Sequence, residues 1–247
     1  MSMREYETDI IRVSELNDDV RQNICDLYLR YYDGSNKKQV LEDLSNKREV
    51  LLLYHDYSIV GFTTLQVYEY LWLNKPIRVV YSGDTVVARE HWGQQALAFC
   101  WISRMAQIKS EKPGSSLYWF VIIKGHRTFK YLPTFGKSFY PHWSIDRSDL
   151  KPLADYLAVE MFGDYYNRKI GIIDFNGTRG HLKNEIAYPT EEEMSKDSVR
   201  FFIKKNPNYI HGQELVCLCE LEEENMKPLT RRIFRKAYND QVMEAAL

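Results

Sequence analysis

Four cysteines in 247 residues, Cys25, Cys100, Cys217 and Cys219, are too few and too scattered for a disulfide-stapled scaffold. They are expected as reduced core thiols. Cys217 and Cys219 stand two apart in an apolar run and share one face of a strand. His211 is their only neighbour of metal-binding type, so no metal is expected. No apolar run reaches the roughly 20 residues that span a bilayer, and residues 1–12 carry mixed charge with no export-type stretch. A cytoplasmic protein is expected. Charge of one sign is also missing: 33 basic against 34 acidic side chains leave a formal net charge of −1. That balance argues against a broad electrostatic footprint for nucleic acid or anionic membrane. It leaves room for a small basic mouth that receives a phosphate-bearing cofactor. Internal repeats and low-complexity segments are absent. Gly34, Gly61 and Gly83 are scattered and form no nucleotide fingerprint. Ser35, Ser82 and Ser103 lack the glycine setting of a hydrolase nucleophile.

What the chain does have is tyrosine, 18 residues within an aromatic fraction of 14%, and hydrophobic residues at 45%. Tyrosine serves half-wet clefts as well as cores, because an apolar ring carries a polar tip. One core with an extension is the expected size class. Residues 9–13 predict a short first strand. Ile24, Leu27, Tyr28 and Tyr31 set a helical period from Asp18, ended by Asp33-Gly34-Ser35. Residues 37–46 predict a second helix with Val40, Leu41 and Leu44. The period then falls to two. Residues 49–54, 59–70 and 77–87 predict three strands joined by tight turns, an antiparallel meander. The last is interrupted at Ser82-Gly83-Asp84, where glycine in a strand marks a bulge or a close backbone approach. A helix over residues 93–109, an apolar strand over 117–123 and a helix from Gly125 disturbed by Pro133 follow. Beyond them the pattern predicts a helix over 150–162, a strand over 169–175, a helix opened by Pro189-Thr190, a strand over 214–221 and a basic amphipathic helix over 227–246.

Strand, two helices, antiparallel meander, helix, strand, helix is an order that resembles the GNAT superfamily of N-acetyltransferases, over about residues 10–139. The local run from Tyr118 to Pro141 looks like a poorly characterised bacterial GNAT-like subgroup. The resemblance implies an α/β (α+β) fold: a mixed, mostly antiparallel central sheet flanked by helices. Residues 1–139 would be the donor-binding core. Residues 140–247 would be an insertion, the last strands and a terminal helix completing the same domain. Asp84 to Ala88 followed by His91, Trp92, Gly93, Gln94, Gln95 and Ala96 looks like the family's cofactor strand and pyrophosphate loop. There, backbone amides at a helix entrance hold the phosphates. Against the family's Arg-Gly-x-Gly-x-Gly or Ala pattern, Trp92 replaces the Arg, Gly93 is kept, and Gln95 and Leu97 occupy the later small positions. The departure either narrows the cradle, or marks a donor other than free CoA, or marks a domain that kept its fold and lost its chemistry.

The activity implied is acyl transfer from a phosphopantetheine thioester, acyl-CoA or an acyl carrier protein, to an amine. An amine with a reference pKa near 10.4 must lose a proton before it attacks. Asp84, beside the bulge, is the first candidate base, with Glu69 on the neighbouring strand; His126 or His91 would relay protons, since His titrates near working pH. Tyr131 is the candidate acid for the departing thiolate. Val86 and Val87, with the loop residues from His91 to Ala96, are the candidate cofactor-binding set. The insertion carries Trp143, Tyr156, Phe162, Tyr165 and Tyr166, which predicts a lid or an acyl tunnel. A medium- or long-chain acyl group and a Lys- or ornithine-type acceptor on a peptide or natural product are expected from it. The alternative is a catalytically silent module on the same fold that binds a ligand or partner.

Overall fold

A computed structural model describes residues 6–245; residues 1–5 of the amino-terminal segment and Ala246 of the expected last helix lie outside them. The strands are β1 (Glu7–Arg12), β2 (Tyr32–Asp33), β3 (Glu49–His55), β4 (Ser58–Trp72), β5 (Lys75–Val87), β6 (Ser116–Ile123), β7 (Tyr166–Asn167), β8 (Ile172–Ile173), β9 (His181–Leu182) and β10 (Glu214–Glu220). The helices are α1 (Asp18–Tyr31), α2 (Lys37–Ser45), α3 (Ala96–Glu111), α4 (His126–Phe129), α5 (Tyr131–Phe135), α6 (Lys151–Phe162), α7 (Asn184–Ala187), α8 (Glu191–Met194), α9 (Asp197–Lys205) and α10 (Pro228–Ala245).

Eight strands form one sheet in the order β1-β3-β4-β5-β6-β10-β8-β7, and β2 pairs with β9 apart from it. Every pair is antiparallel except β5–β6. Those two run parallel because the chain between them crosses over through α3 rather than turning back in a hairpin. This is the mixed, mostly antiparallel sheet flanked by helices that the GNAT resemblance implies.

The faces follow from side-chain alternation. Leu117, Trp119, Val121 and Ile123 of β6 join the core that includes α3, while Phe120 and Ile122 meet α6. A strand buried on both faces must be apolar throughout, and Leu-Tyr-Trp-Phe-Val-Ile-Ile is. Helix α10 packs along α3 and buries Thr230 and Phe234. Asn17 caps α1, and Asn36 with Gln39 forms a capping box that starts α2. Cys217 and Cys219 do share one face of β10, buried in the main core.

Three predicted elements differ from the structure. The third long helix starts at Ala96 instead of Gly93, because Gly93 holds φ at +93° and Gln95 is the cap residue. The helix from Gly125 is two short helices, with Pro133 inside the first turn of the second, where its missing N–H costs nothing. The strand over 169–175 shrinks to Ile172–Ile173, since Gly171 at φ +73° turns the chain into a hairpin with β7. No described helix is long and apolar enough to cross a membrane.

Candidate active site

Pairing between β5 and β6 runs from Ile77↔Ser116 to Ser82↔Val121 and stops there. Strand β5 continues to Val87 along β4, so beyond Ser82 it leaves β6 and a slot opens through the sheet. At the same point the β4–β5 register slips, from Leu65↔Ser82 to Thr63↔Thr85. This is the bulge that Gly83 predicts. It sets Gly83 and Asp84 on the same side as Tyr81, whereas strict alternation would put Asp84 with Ser82. A side chain at position 83 would drive its Cβ into Thr64 Oγ1 and to 2.7 Å from Lys47 Cε. Glycine there lets the Lys47 stem cross the bulge.

On the side of α1, α2 and α6, the slot opens into a cavity of about 470 Å³. Tyr28, Tyr32, Tyr68, Tyr70, Tyr81 and Tyr165 line it with Asp43, Lys47, Asp84, Lys124, Glu160, Arg179 and Glu214. Five of these charged groups are paired with one another. Lys47 Nζ lies 2.7 Å from Asp43 Oδ2, Arg179 3.2 Å from Asp43 Oδ1, and Lys124 Nζ 3.3 Å from Glu214 Oε1. Among the described residues Asp84 has no cation of its own at such range; it shares the cavity with the Asp43 carboxyl, whose charge acts on it. Burial, then the charge of Asp43, push the Asp84 carboxyl up to about 7, against the smaller pull of Lys47 and Lys124. Partial burial raises Asp43, yet Lys47 and Arg179 hold it below the usual carboxylate range. One carboxylate therefore stays charged and its partner keeps a proton near neutrality. Burial also pushes Glu214 and the Tyr28, Tyr32 and Tyr81 hydroxyls up.

On the side of α3 and α5, a second chamber of about 30 Å³ lies among Leu97, Ala98, Trp101, Trp119, Tyr131 and Phe135. The two chambers share Ser82, Thr85 and Thr128. A polar cavity and an apolar niche thus meet edge to edge where the strands part. Tyr131 packs on Phe135 at 5.6 Å between ring centroids, and burial pushes its hydroxyl up, so it stays protonated.

The loop ahead of α3 is arranged differently from a glycine cradle. Gln94 Oε1 accepts the Leu97 N–H at 3.2 Å, so the chain itself satisfies one amide at the helix entrance. Trp92 is 42% exposed, donates its indole N–H to Val87 O at 2.8 Å, and lies between the guanidiniums of Arg89 and Arg127, 5.9 and 5.1 Å from its ring. His91 receives or donates one bond with Tyr6 Oη at 3.0 Å, and its ring lies tilted against His55 at 4.8 Å between centroids. Val86 is buried, and Val87 half-buried, on the β5 segment that runs past the slot. The N–H of Gln94 points to His91 O at 3.5 Å, and Gln95 O begins the α3 ladder by accepting Phe99 N–H.

The candidates do not all converge. Asp84 faces the polar cavity and Tyr131 the apolar niche. Glu69 lies between Tyr68 and Tyr70, which face the cavity, so alternation turns it to the other side. There it pairs with Lys112 at 2.6 Å and Arg78 at 3.7 Å, and the Lys112 hydrogen bond holds its carboxyl below the usual range. His126 is buried beneath α8, 3.4 Å from Glu193 Oε2. Burial and the adjacent Arg127 push it down to about 4, and it lines neither chamber. Of the insertion aromatics, Phe162 and Tyr165 wall the polar cavity. Tyr156 packs on Tyr70 and Trp72, Tyr166 bonds to Asp155, and Trp143 stacks on His142. They are spread over four places rather than along one tunnel. Asp43, Lys47, Lys124 and Glu214, which set the charge of Asp84, carry no sequence motif; they come from three separate segments, around residues 43–47, at 124 and at 214.

No protein-family model and no curated protein matches the chain. Among solved structures it is similar to a conserved protein of unknown function from Enterococcus faecalis V583, described as a probable N-acyltransferase, at 7% identity and TM-score 0.41. That alignment covers 72% of this chain and 46% of the other, so the chain spans about half that protein's length. It is also similar to a GNAT family N-acetyltransferase (YhbS) from Escherichia coli in complex with CoA, at 15% identity and TM-score 0.39, over 55% and 71% of the two chains. An aminoglycoside acetyltransferase from an uncultured soil sample, in complex with sisomicin, aligns at 17% identity and TM-score 0.32, over 63% and 87%. Each likeness is partial, and the sheet order and the slot stand on this chain's own geometry.

Proposed function

We propose that the protein transfers an acyl group from a phosphopantetheine thioester to an amine, with the thioester in the β5–β6 slot and the amine in the polar cavity. The observation that carries this reading is the meeting of the two chambers at Ser82, Thr85 and Thr128, with Asp84 on one side and Tyr131 on the other. The amine nitrogen attacks the thioester carbonyl carbon, a C–N bond forms and the C–S bond breaks. The amine proton passes to Asp84, whose pKa of about 7 suits a base working near neutrality. The departing thiolate takes the Tyr131 hydroxyl proton. The apolar niche, about 30 Å³, supports an acyl group of acetyl size over the medium or long chain expected from the aromatic insertion. The tyrosine-rich, charge-paired cavity supports a hydrophilic acceptor: a Lys- or ornithine-type side chain of a peptide, or a small amine. Val86, Val87 and the loop from His91 to Ala96 would flank the donor.

A second donor reading has one observation behind it. Gln94 already bonds the Leu97 amide at the α3 entrance, which favours a donor that asks little of that end, such as a carrier-protein phosphopantetheine without the nucleotide. The test is native mass spectrometry with acetyl-, octanoyl- and palmitoyl-CoA, followed by thiol release in the presence of an amine panel. Retention of acetyl-CoA, with thiol release lowered about 10²-fold or more in Asp84→Asn, is the expected result. Tyr131→Phe should lower release with the donor still retained. Failure of CoA and carrier-bound thioesters alike to bind would leave the silent-module alternative.

A further inference from the structure

The apex of the slot holds an unusual hydroxyl. Ser82 is the last β5 residue paired to β6, it is buried, and it lines both chambers. Its Oγ accepts two indole N–H groups, from Trp101 Nε1 at 3.2 Å and from Trp119 Nε1 at 3.0 Å. The two rings lie 4.6 Å apart between centroids, and Phe135 packs on both, so neither indole is free to turn away.

A serine hydroxyl has one proton and two lone pairs. Here both lone pairs are taken. The oxygen is a poor nucleophile in that state and has nothing left with which to accept. Only its proton remains to be used, and the two N–H bonds fix the direction in which it points and polarise the O–H bond. No described residue accepts that proton. The neighbouring Thr85 hydroxyl differs, being paired with Thr63 Oγ1 at 2.7 Å. What lies open to Ser82 is the junction of the chambers.

We infer that Ser82 is a preorganised hydrogen-bond donor to the thioester carbonyl oxygen, held in its donor orientation by Trp101 and Trp119. This rests on the acyl-transfer reading. As the amine adds, negative charge gathers on that oxygen, and a donor already aimed at it needs no reorganisation; removing one such donor lowers turnover about 10²–10³-fold.

The experiment uses acetyl-CoA and acetyl-pantetheine labelled with ¹³C at the carbonyl. Binding is followed by native mass spectrometry and the bound carbonyl stretch by isotope-edited infrared difference spectroscopy. In the wild type the band is expected below its position in free solution. In Ser82→Ala it should move back up while the thioester still binds. A band at the same frequency in both proteins would overturn the Ser82 inference and leave acyl transfer standing. Binding of neither thioester, nor of an acetylated carrier protein, would overturn the reading beneath it, and the inference with it. Should Ser82→Ala fail to fold with two orphaned indoles, Trp119→Phe keeps the hydroxyl but frees one of its lone pairs. A partial return of the band is then expected, and an unmoved band refutes the donor role.

Discussion

Asp84→Asn separates stability from function at one residue. In the folded chain the Asp84 carboxyl titrates at about 7 against an ordinary value of 3.8, chiefly from burial and secondly from the charge of Asp43. The groups that face it are Asp43 and Lys47 at the end of α2, Lys124 after β6, Glu214 of β10, and the Tyr28, Tyr32 and Tyr81 hydroxyls. Between pH 3.8 and about 7 the unfolded chain has lost the proton that the folded chain keeps. The folded state thus binds more protons, and stability falls as pH rises through that window. The full interval corresponds to roughly 4 kcal/mol of penalty on the charged form. Sharing of the proton with Asp43 and partial solvent access bring the expected effect to about 2 kcal/mol.

Asparagine has the shape of the protonated acid and no charge to lose. Urea denaturation of both proteins at pH 4 and pH 8 should give equal stabilities at the lower pH. At the higher pH the variant should be the more stable, by about 2 kcal/mol. The same variant should lose about 10²-fold or more of thioester-to-amine transfer, and the wild-type rate should climb with pH to a plateau above about 7. A variant less stable than the wild type at pH 8, or a stability gap that ignores pH, would refute the claim that Asp84 is held neutral by its surroundings.

Two further substitutions probe the supports of the site. Gly83→Ala places a Cβ against Thr64 and 2.7 Å from Lys47 Cε, and should cost about 1–3 kcal/mol in thermal or urea denaturation. Wild-type stability in Gly83→Ala would show that the bulge has room to spare and that Lys47 does not depend on it. His126, pushed down to about 4 from 6.5, stays neutral when folded but charges when unfolded, so the stability it contributes is complete above 6.5 and is lost as pH falls toward 4. His126→Gln should flatten the acid limb of the stability curve and leave turnover unchanged. Loss of turnover with the fold intact would bring His126 back into the chemistry.

Much of the framework was legible because it is written locally. The period of two across residues 49–87, the period of 3.6 in α1 and α3, and the apolar run of β6 each announce an element within a dozen residues. Gly83 inside a strand announced the bulge for the same reason. The site was less legible because its charges come from positions 43, 47, 84, 124 and 214, which only the closed sheet brings together. Glu69 could have been set aside on sequence grounds: if Tyr68 and Tyr70 face a cleft, the residue between them does not. His126 could not, since its bonding partner Glu193 lies 67 residues away in α8. Asp84 is the sharpest case. Simple alternation places it beside Ser82; the extra residue of the bulge turns Asp84 into the polar cavity, while the Ser82 hydroxyl stays bonded to Trp101 at the junction of the chambers. One irregularity thereby gives the slot a carboxyl on its wet side and a tryptophan-held hydroxyl at its apex. A regular strand here would have put both on one face and left the other without either.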